Sequence, residues 1–152
     1  MKNSGKHTRR HRRTVVSRSA QATIRLGQAI ARILNVGDVV YLYGDLGSGK
    51  TTLTKGIARG LGIKTRVTSS SFVIATEYRG KIRLSHVDLY RLSGQDIENL
   101  PLDEYLAEDG VTVIEWSERL RLTRVQKQSG LHVHIAIRGQ KNREFIIEDL
   151  RD

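Results

Sequence analysis

The chain has 152 residues, contains no cysteine and carries a formal net charge of +10. The length predicts one domain that buries its own core. Without cysteine, disulfides, thiolate metal sites and a cysteine nucleophile are excluded, which is typical of a cytoplasmic protein. We expect no membrane segment, because no apolar stretch approaches the roughly 20 residues that a spanning helix needs.

The positive charge is concentrated at the amino terminus. Seven of the 26 lysine and arginine residues lie within residues 1–18, which contain no carboxylate, so residues 19–152 carry a net charge of only +3. We therefore predict a basic, disordered tail at 1–18 and a folded domain at 19–152. The tail is compatible with a solvated extension, a weak RNA-attracting arm or a cleaved transit peptide. It lacks the amphipathic apolar stripe that is typical of a transit peptide.

The predicted elements alternate between helices and strands. Residues 19–34 form a helix whose apolar stripe is Leu26, Ile30, Ile33 and Leu34, with Ser17 or Ser19 as its cap. The pattern then predicts a strand at 39–43, a helix at 52–61, a hydroxyl-rich loop at 65–71, strands at 72–78 and 82–87, a broken helix at 94–107, a strand at 111–114, and an antiparallel hairpin from 131–137 to 145–147. This order predicts a single α/β domain with a mixed central sheet flanked by helices.

Residues 44–51 read GDLGSGKT, which matches the phosphate-loop pattern G-x-x-x-x-G-K-[ST] between a strand and a helix. The glycines let consecutive backbone N–H groups converge on phosphate oxygens. Lys50 places a cation against the β- and γ-phosphates, and Thr51 offers a hydroxyl to Mg²⁺. The alternative is a glycine-rich turn that binds nothing.

Two carboxylates follow predicted strands, where ligands bind in open α/β sheets. Asp88 follows the strand at 82–87 and suits a magnesium ligand. Glu115 follows the strand at 111–114, where it would order a water, support a ligand or accept a proton. The alternative for each acid is a helix cap or a solvated strand end.

Four segments together resemble the TsaE (YjeE) family, small bacterial P-loop ATPases of tRNA threonylcarbamoyladenosine synthesis. The segments are GDLGSGKTT at 44–52, SSSF at 69–72, HVDLYR at 86–91 and IEWSE at 114–118. The resemblance extends over about residues 19–147 and implies a P-loop NTPase-like fold that binds ATP and Mg²⁺. It also implies association with the TsaB–TsaD complex, in which TsaD modifies ANN-decoding tRNAs and ATP hydrolysis resets the complex.

The resemblance assigns roles to particular residues. Lys50, Asp88 and Glu115 are the predicted catalytic residues, and Thr51, Asp88 and Glu115 the predicted magnesium ligands. The predicted nucleotide contacts are Asp45, Leu46, Gly47, Ser48, Gly49, Lys50, Thr51, Thr52, Ser71 and Trp116. The family usually has Ser-Pro-Thr-Phe where this chain has SSSF, so Ser71 keeps the hydroxyl while Ser70 replaces a proline and frees the backbone.

Two other functions are compatible with parts of the sequence. A small-molecule kinase shares the phosphate loop, and Arg119, Arg121 and Arg124 would belong to its lid. A nonenzymatic RNA-binding module would depend on the basic tail, but aromatic residues for base stacking are scarce.

Overall fold

The computed structural model describes residues 11–68, 74–120 and 129–152. Within these ranges a mixed sheet of seven strands has the order β1-β7-β6-β2-β5-β4-β3. The strands are β1 (His11–Ser17), β2 (Val39–Tyr43), β3 (Ala75–Tyr78), β4 (Arg83–Asp88), β5 (Gly110–Glu115), β6 (Leu131–Ile137) and β7 (Arg143–Asp149). The helices are α1 (Ala20–Ile33), α2 (Lys50–Gly60), α3 (Gly94–Glu98) and α4 (Leu102–Tyr105), with a 3₁₀ turn at Ser117–Arg119. The predicted mixed α/β fold is confirmed.

Parallel pairing is confined to the middle of the sheet. β2 lies between β5 and β6 and is parallel to both, and β4 is parallel to β5. β5 is buried along its whole length, as expected for a strand covered on both faces. β6 and β7 form the predicted antiparallel hairpin, paired from Leu131↔Asp149 to Ile137↔Arg143.

Alternate residues of β2 point into two cores. Val40 and Leu42 pack with α1 and α2 on one face of the sheet. Val39 and Tyr41 pack on the other face, with the apolar residues of α3, α4 and the loops beside them. The two helix layers therefore enclose β2. The chain leaves the carboxyl end of β2 directly into the loop at 44–49.

Local signals place α1 as predicted, with one exception. Ser19 is the N-cap and its side chain accepts a hydrogen bond from the Ala22 N–H at 3.0 Å. Ile30 and Leu34 are buried in the core, but Ile33 is 50% exposed. The prediction that Ile33 belongs to the buried stripe was wrong: within the last turn of α1, Ile30 and Ala31 are buried and the Ile33 side chain is exposed.

The prediction of a disordered tail over residues 1–18 was wrong for residues 11–17, which form the edge strand β1. This strand pairs antiparallel with β7 and sets Arg12 opposite Glu148 and Val16 opposite Glu144. Cross-strand pairs of opposite charge stabilise a sheet, so an arginine-rich segment is compatible with this edge. Residues 1–10 lie outside the described ranges.

No helix within the described ranges is long and apolar enough to cross a membrane.

Candidate phosphate-binding site

The loop between β2 and α2 has the geometry of a phosphate cradle. Gly49 is the N-cap of α2 and has a left-handed backbone with φ +104°, which glycine adopts without steric cost. At Gly44 a side chain has no room, because a Cβ there would lie 2.7 Å from the Ser48 Oγ and 2.8 Å from the Ile135 carbonyl oxygen. The first N–H groups of α2 have no partners within the helix, as at any helix start, and this end also carries the positive pole of the helix dipole.

Two distant side chains hold the loop in place. The Gly44 N–H donates to the Glu118 carboxylate at 2.8 Å. Arg143, at the start of β7, donates to the Gly47 carbonyl oxygen at 3.1 Å and also to the carbonyl groups of the β6–β7 turn. Neither residue was predicted from the sequence to have a role. Glu118 lies within the IEWSE segment, whereas nothing local to Arg143 indicates its contact with a loop 96 residues away.

Lys50 is 6% exposed, and its ammonium group contacts the loop itself. It donates to the carbonyl oxygens of Gly44 and of Asp45, the latter at 3.0 Å, and it lies 3.8 Å from the centroid of the Trp116 ring. Burial lowers the pKa of this ammonium, and the charges of Glu118 and other nearby carboxylates oppose the shift. A buried cation whose partners are mostly backbone carbonyl groups and an aromatic face is well placed to bind an anion.

Glu115 ends β5 directly beneath this loop and is 1% exposed. Its carboxylate lies 2.9 Å from the His86 Nε2 and accepts longer hydrogen bonds from the hydroxyl groups of Thr54 at 3.4 Å and Thr51 at 3.5 Å. With Glu115 ionised, Nε2 is the donor. His86 is therefore a site residue that sequence analysis missed, although its position two residues before Asp88 on the same strand placed it on the same face.

Asp88 ends β4 and is the register partner of Glu115 across the parallel pair. Its Oδ1 accepts a hydrogen bond from the Tyr90 N–H at 3.0 Å. Burial raises the pKa of Asp88, and the nearby Glu115 carboxylate raises it further, while the Tyr90 N–H opposes the shift. A cation beside Asp88 and Glu115 would remove this electrostatic cost.

The oxygen donors fit a magnesium ion that arrives with a nucleotide. The hydroxyl of Thr51 and the carboxylates of Glu115 and Asp88 are the hard ligands that Mg²⁺ prefers. Within the described ranges, however, no group of three or more acidic or histidine side chains converges to hold a metal alone. A nucleotide-bound Mg²⁺ needs only one or two carboxylates from the protein and completes its shell with phosphates and water.

Trp116 has an unusual backbone conformation. Its φ of 61° and ψ of 41° are left-handed, which is rare for a bulky residue and common at functional sites. The ring packs against Tyr90 with centroids 4.8 Å apart, and the Arg119 guanidinium group donates to the carbonyl groups of Tyr90 and Leu92. These contacts hold the indole over Lys50.

The structure thus brings Lys50, Thr51, Asp88, Glu115 and Trp116 to one edge of the sheet. The remaining predicted nucleotide contacts follow the loop into α2, and Leu46 at the loop tip is 70% exposed. Ser71 lies outside the described residues. The role of each residue toward a nucleotide stays a prediction.

Three features accompany the mixed sheet: a glycine-rich loop between its central strand and a helix, a buried lysine at the start of that helix, and an acid on the neighbouring strand. Together they define a class of protein, the P-loop NTPase fold. The crystal structure of Bacillus subtilis YdiB has this fold and superposes with a TM-score of 0.74 at 33% identity, covering 93% of this chain and 87% of YdiB.

Sequence comparison identifies the family within that class. The family model described as "Threonylcarbamoyl adenosine biosynthesis protein TsaE" matches residues 17–145. Proteins named tRNA threonylcarbamoyladenosine biosynthesis protein TsaE are similar. The one from Treponema pallidum (strain Nichols) is 45% identical over 106 residues, which cover 69% of this chain and 78% of that protein. The one from Bacillus subtilis (strain 168) is 41% identical over 134 residues, covering 88% and 81%. The chain belongs to the TsaE family.

Proposed function

We propose that the chain is a cytoplasmic accessory ATPase that binds ATP with Mg²⁺, hydrolyses it slowly and supports formation of threonylcarbamoyladenosine in tRNA through a TsaB–TsaD complex. The observation that carries the proposal is the buried Lys50 ammonium, which donates to carbonyl oxygens of the glycine-rich loop and lies within the electrostatic influence of Glu118, Glu115 and Asp88. The part of the proposal that concerns tRNA modification is based on the names of the family and of its relatives.

In this proposal each residue has one task. Lys50 exchanges its bonds to the Gly44 and Asp45 carbonyl groups for bonds to phosphate oxygens. Thr51 and Asp88 would hold Mg²⁺, which when bound supplies positive charge beside the β- and γ-phosphates. Glu115 orients the attacking water and accepts its proton at a carboxylate oxygen, and His86 holds that carboxylate in place.

Slow turnover by the isolated chain is part of the proposal, and the contacts of Glu115 and Lys50 support it. The Glu115 carboxylate accepts hydrogen bonds from His86 and two threonine hydroxyls, and Lys50 is bound to the loop itself. Before phosphoryl transfer Lys50 must leave the loop carbonyl groups and Glu115 must exchange its threonine partners for water while keeping His86, and docking onto TsaB–TsaD would favour that change.

The kinase alternative has less support. Arg119, the only described member of the three arginines assigned to a lid, donates to the backbone of Tyr90 and Leu92 and is not available to a transferring phosphate. Arg121 and Arg124 lie outside the described residues.

Calorimetric titration with Mg-ATP tests the proposal. Lys50→Ala should abolish measurable binding while the thermal transition persists, and Lys141→Ala, which removes an exposed cation from the β6–β7 turn, should bind as the wild type does. Wild-type protein should also be captured by purified TsaB and TsaD and stimulate their modification of tRNA. Absence of binding by the folded wild type would refute the proposal, and rapid phosphorylation of a metabolite would favour a kinase.

A further inference from the structure

A second cationic feature lies away from the phosphate loop. A groove of about 440 Å³ lies between the exposed side of α2 and residues 63–67, which follow this helix. Four cations line it: Lys55, Arg59, Lys64 and Arg66. Apolar side chains, including Ile24 and Val67, complete its wall. We call this feature the basic groove.

Among the residues that the structure describes, no acidic side chain balances the charge of the basic groove. No carboxylate is among the described residues that line it, and within the described ranges none of the four cations forms an ion pair. By contrast, Arg83, Arg138 and Arg151 each pair with acids. Lys55 and Arg59 are four residues apart on α2 and therefore share one helix face, where like charges repel. An anion bound between the four cations would relieve this repulsion.

The shape of the groove favours a nucleic acid as that anion. Its volume lies in the range of small-ligand pockets and accommodates a nucleotide unit. Cations line a wall that is also partly apolar, so a phosphate can meet the charges while a ribose contacts aliphatic carbon. No aromatic side chain is among the described lining residues, so the groove lacks a platform for base stacking.

We infer that the basic groove binds the phosphate backbone of RNA without reading base sequence. The choice of tRNA as the natural RNA rests on the proposed function, whereas the chemistry of the groove does not. None of the predicted nucleotide contacts that the structure describes lines the groove, so the chain would hold RNA and ATP at different places. Such contacts are governed by counterion release, and affinity should fall steeply with salt.

The test compares two charge-matched variants of the full chain for binding of a fluorescent tRNA transcript over a series of salt concentrations. The groove variant is K55Q/R59Q/K64Q/R66Q. The control variant, R32Q/R79Q/R138Q/K141Q, removes four exposed cations that neither line the groove nor belong to residues 1–18. At about 0.1 M salt the groove variant should bind at least about tenfold more weakly than the wild type, and the slope of log K against log salt should decrease by about 3. The control should stay within about threefold of the wild type.

Three results would overturn the inference. Equal losses in both variants would indicate general attraction to a basic protein, and no loss in either would place RNA elsewhere. A groove variant that binds tRNA normally but is no longer captured by TsaB–TsaD would make the groove a protein-docking surface. Mg-ATP titration of the same three proteins separates this inference from the proposed function: wild type that binds tRNA through the groove but not ATP would refute only the latter. Thermal unfolding checks that all three fold.

Discussion

Replacement of Gly56 by alanine tests the packing that holds the phosphate loop in place. Gly56 lies in α2, the helix that begins at Lys50, and faces α1. A Cβ at this position would lie 2.2 Å from the Ile24 carbonyl oxygen and 2.9 Å from two further backbone atoms of Ile24. Ordinary contact begins near 3.4 Å, so the two helices must separate locally by about 1 Å.

Two opposing effects set the magnitude. Alanine is favoured over glycine inside a helix by about 1 kcal/mol. Overpacking a core costs about 1–3 kcal/mol, and the upper end applies because the clash is with backbone, which cannot rotate away. We therefore expect Gly56→Ala to lower the free energy of unfolding by about 2 kcal/mol. For a domain of this size the melting temperature should fall by about 4–8 °C.

Gly94→Ala is the matched control, since Gly94 begins α3 and a Cβ there meets nothing within 4 Å. Its stability should stay within about 0.5 kcal/mol of the wild type. Calorimetric unfolding gives the stabilities, and ATP titration should find weaker binding only in Gly56→Ala, because α2 positions Lys50 and Thr51. A Gly56→Ala protein more stable than the wild type would refute the close-packing argument, because that gain is what helix propensity alone predicts.

The remaining predictions concern the two carboxylates. Glu115→Gln should bind ATP but release phosphate about 10²-fold more slowly or worse, because an amide cannot accept the proton of water; an unchanged rate at equal affinity would remove Glu115 from the mechanism. Because the pKa of Asp88 is raised in the folded state, its ionisation destabilises the protein above about pH 4, where the unfolded side chain titrates. Asp88→Asn removes this charge and keeps the acceptor for the Tyr90 N–H. The variant should therefore melt at a higher temperature than the wild type at pH 7–8, and the difference should vanish toward pH 4. Its magnesium-dependent ATP binding should be weaker. A lower melting temperature at pH 7 would contradict the raised pKa.

The parts of the site that sequence predicted are those with local causes. The octapeptide at 44–51 requires glycines, a lysine and a hydroxyl at fixed spacing, and the strand before it and the helix after it each have their own apolar pattern. Asp88 and Glu115 were found because parallel strands end at one edge of the sheet, so position along the chain implied position in space. Trp116 and Ser71 were assigned by family resemblance alone.

The parts that sequence missed depend on contacts between distant segments. His86 and Glu118 acquire their roles only when β4 and β5 lie side by side under the phosphate loop. Arg143 reaches the loop because β7 returns along β6 to the same end of the sheet. The strand at His11–Ser17 forms by pairing with β7, which is distant in the chain, whereas the local composition of that segment indicates disorder.

The order of amino acids alone determined the phosphate loop, the strand and helix on either side of it and the class of protein, because backbone conformation and apolar periodicity act over a few residues. Tertiary structure alone decided which groups contact Lys50 and which side chains hydrogen-bond to Glu115. It also decided that residues 11–17 form the edge strand of the sheet and that four cations share one groove. Those features depend on burial and on charges brought together from segments far apart in the chain, and short-range patterns do not encode such distances.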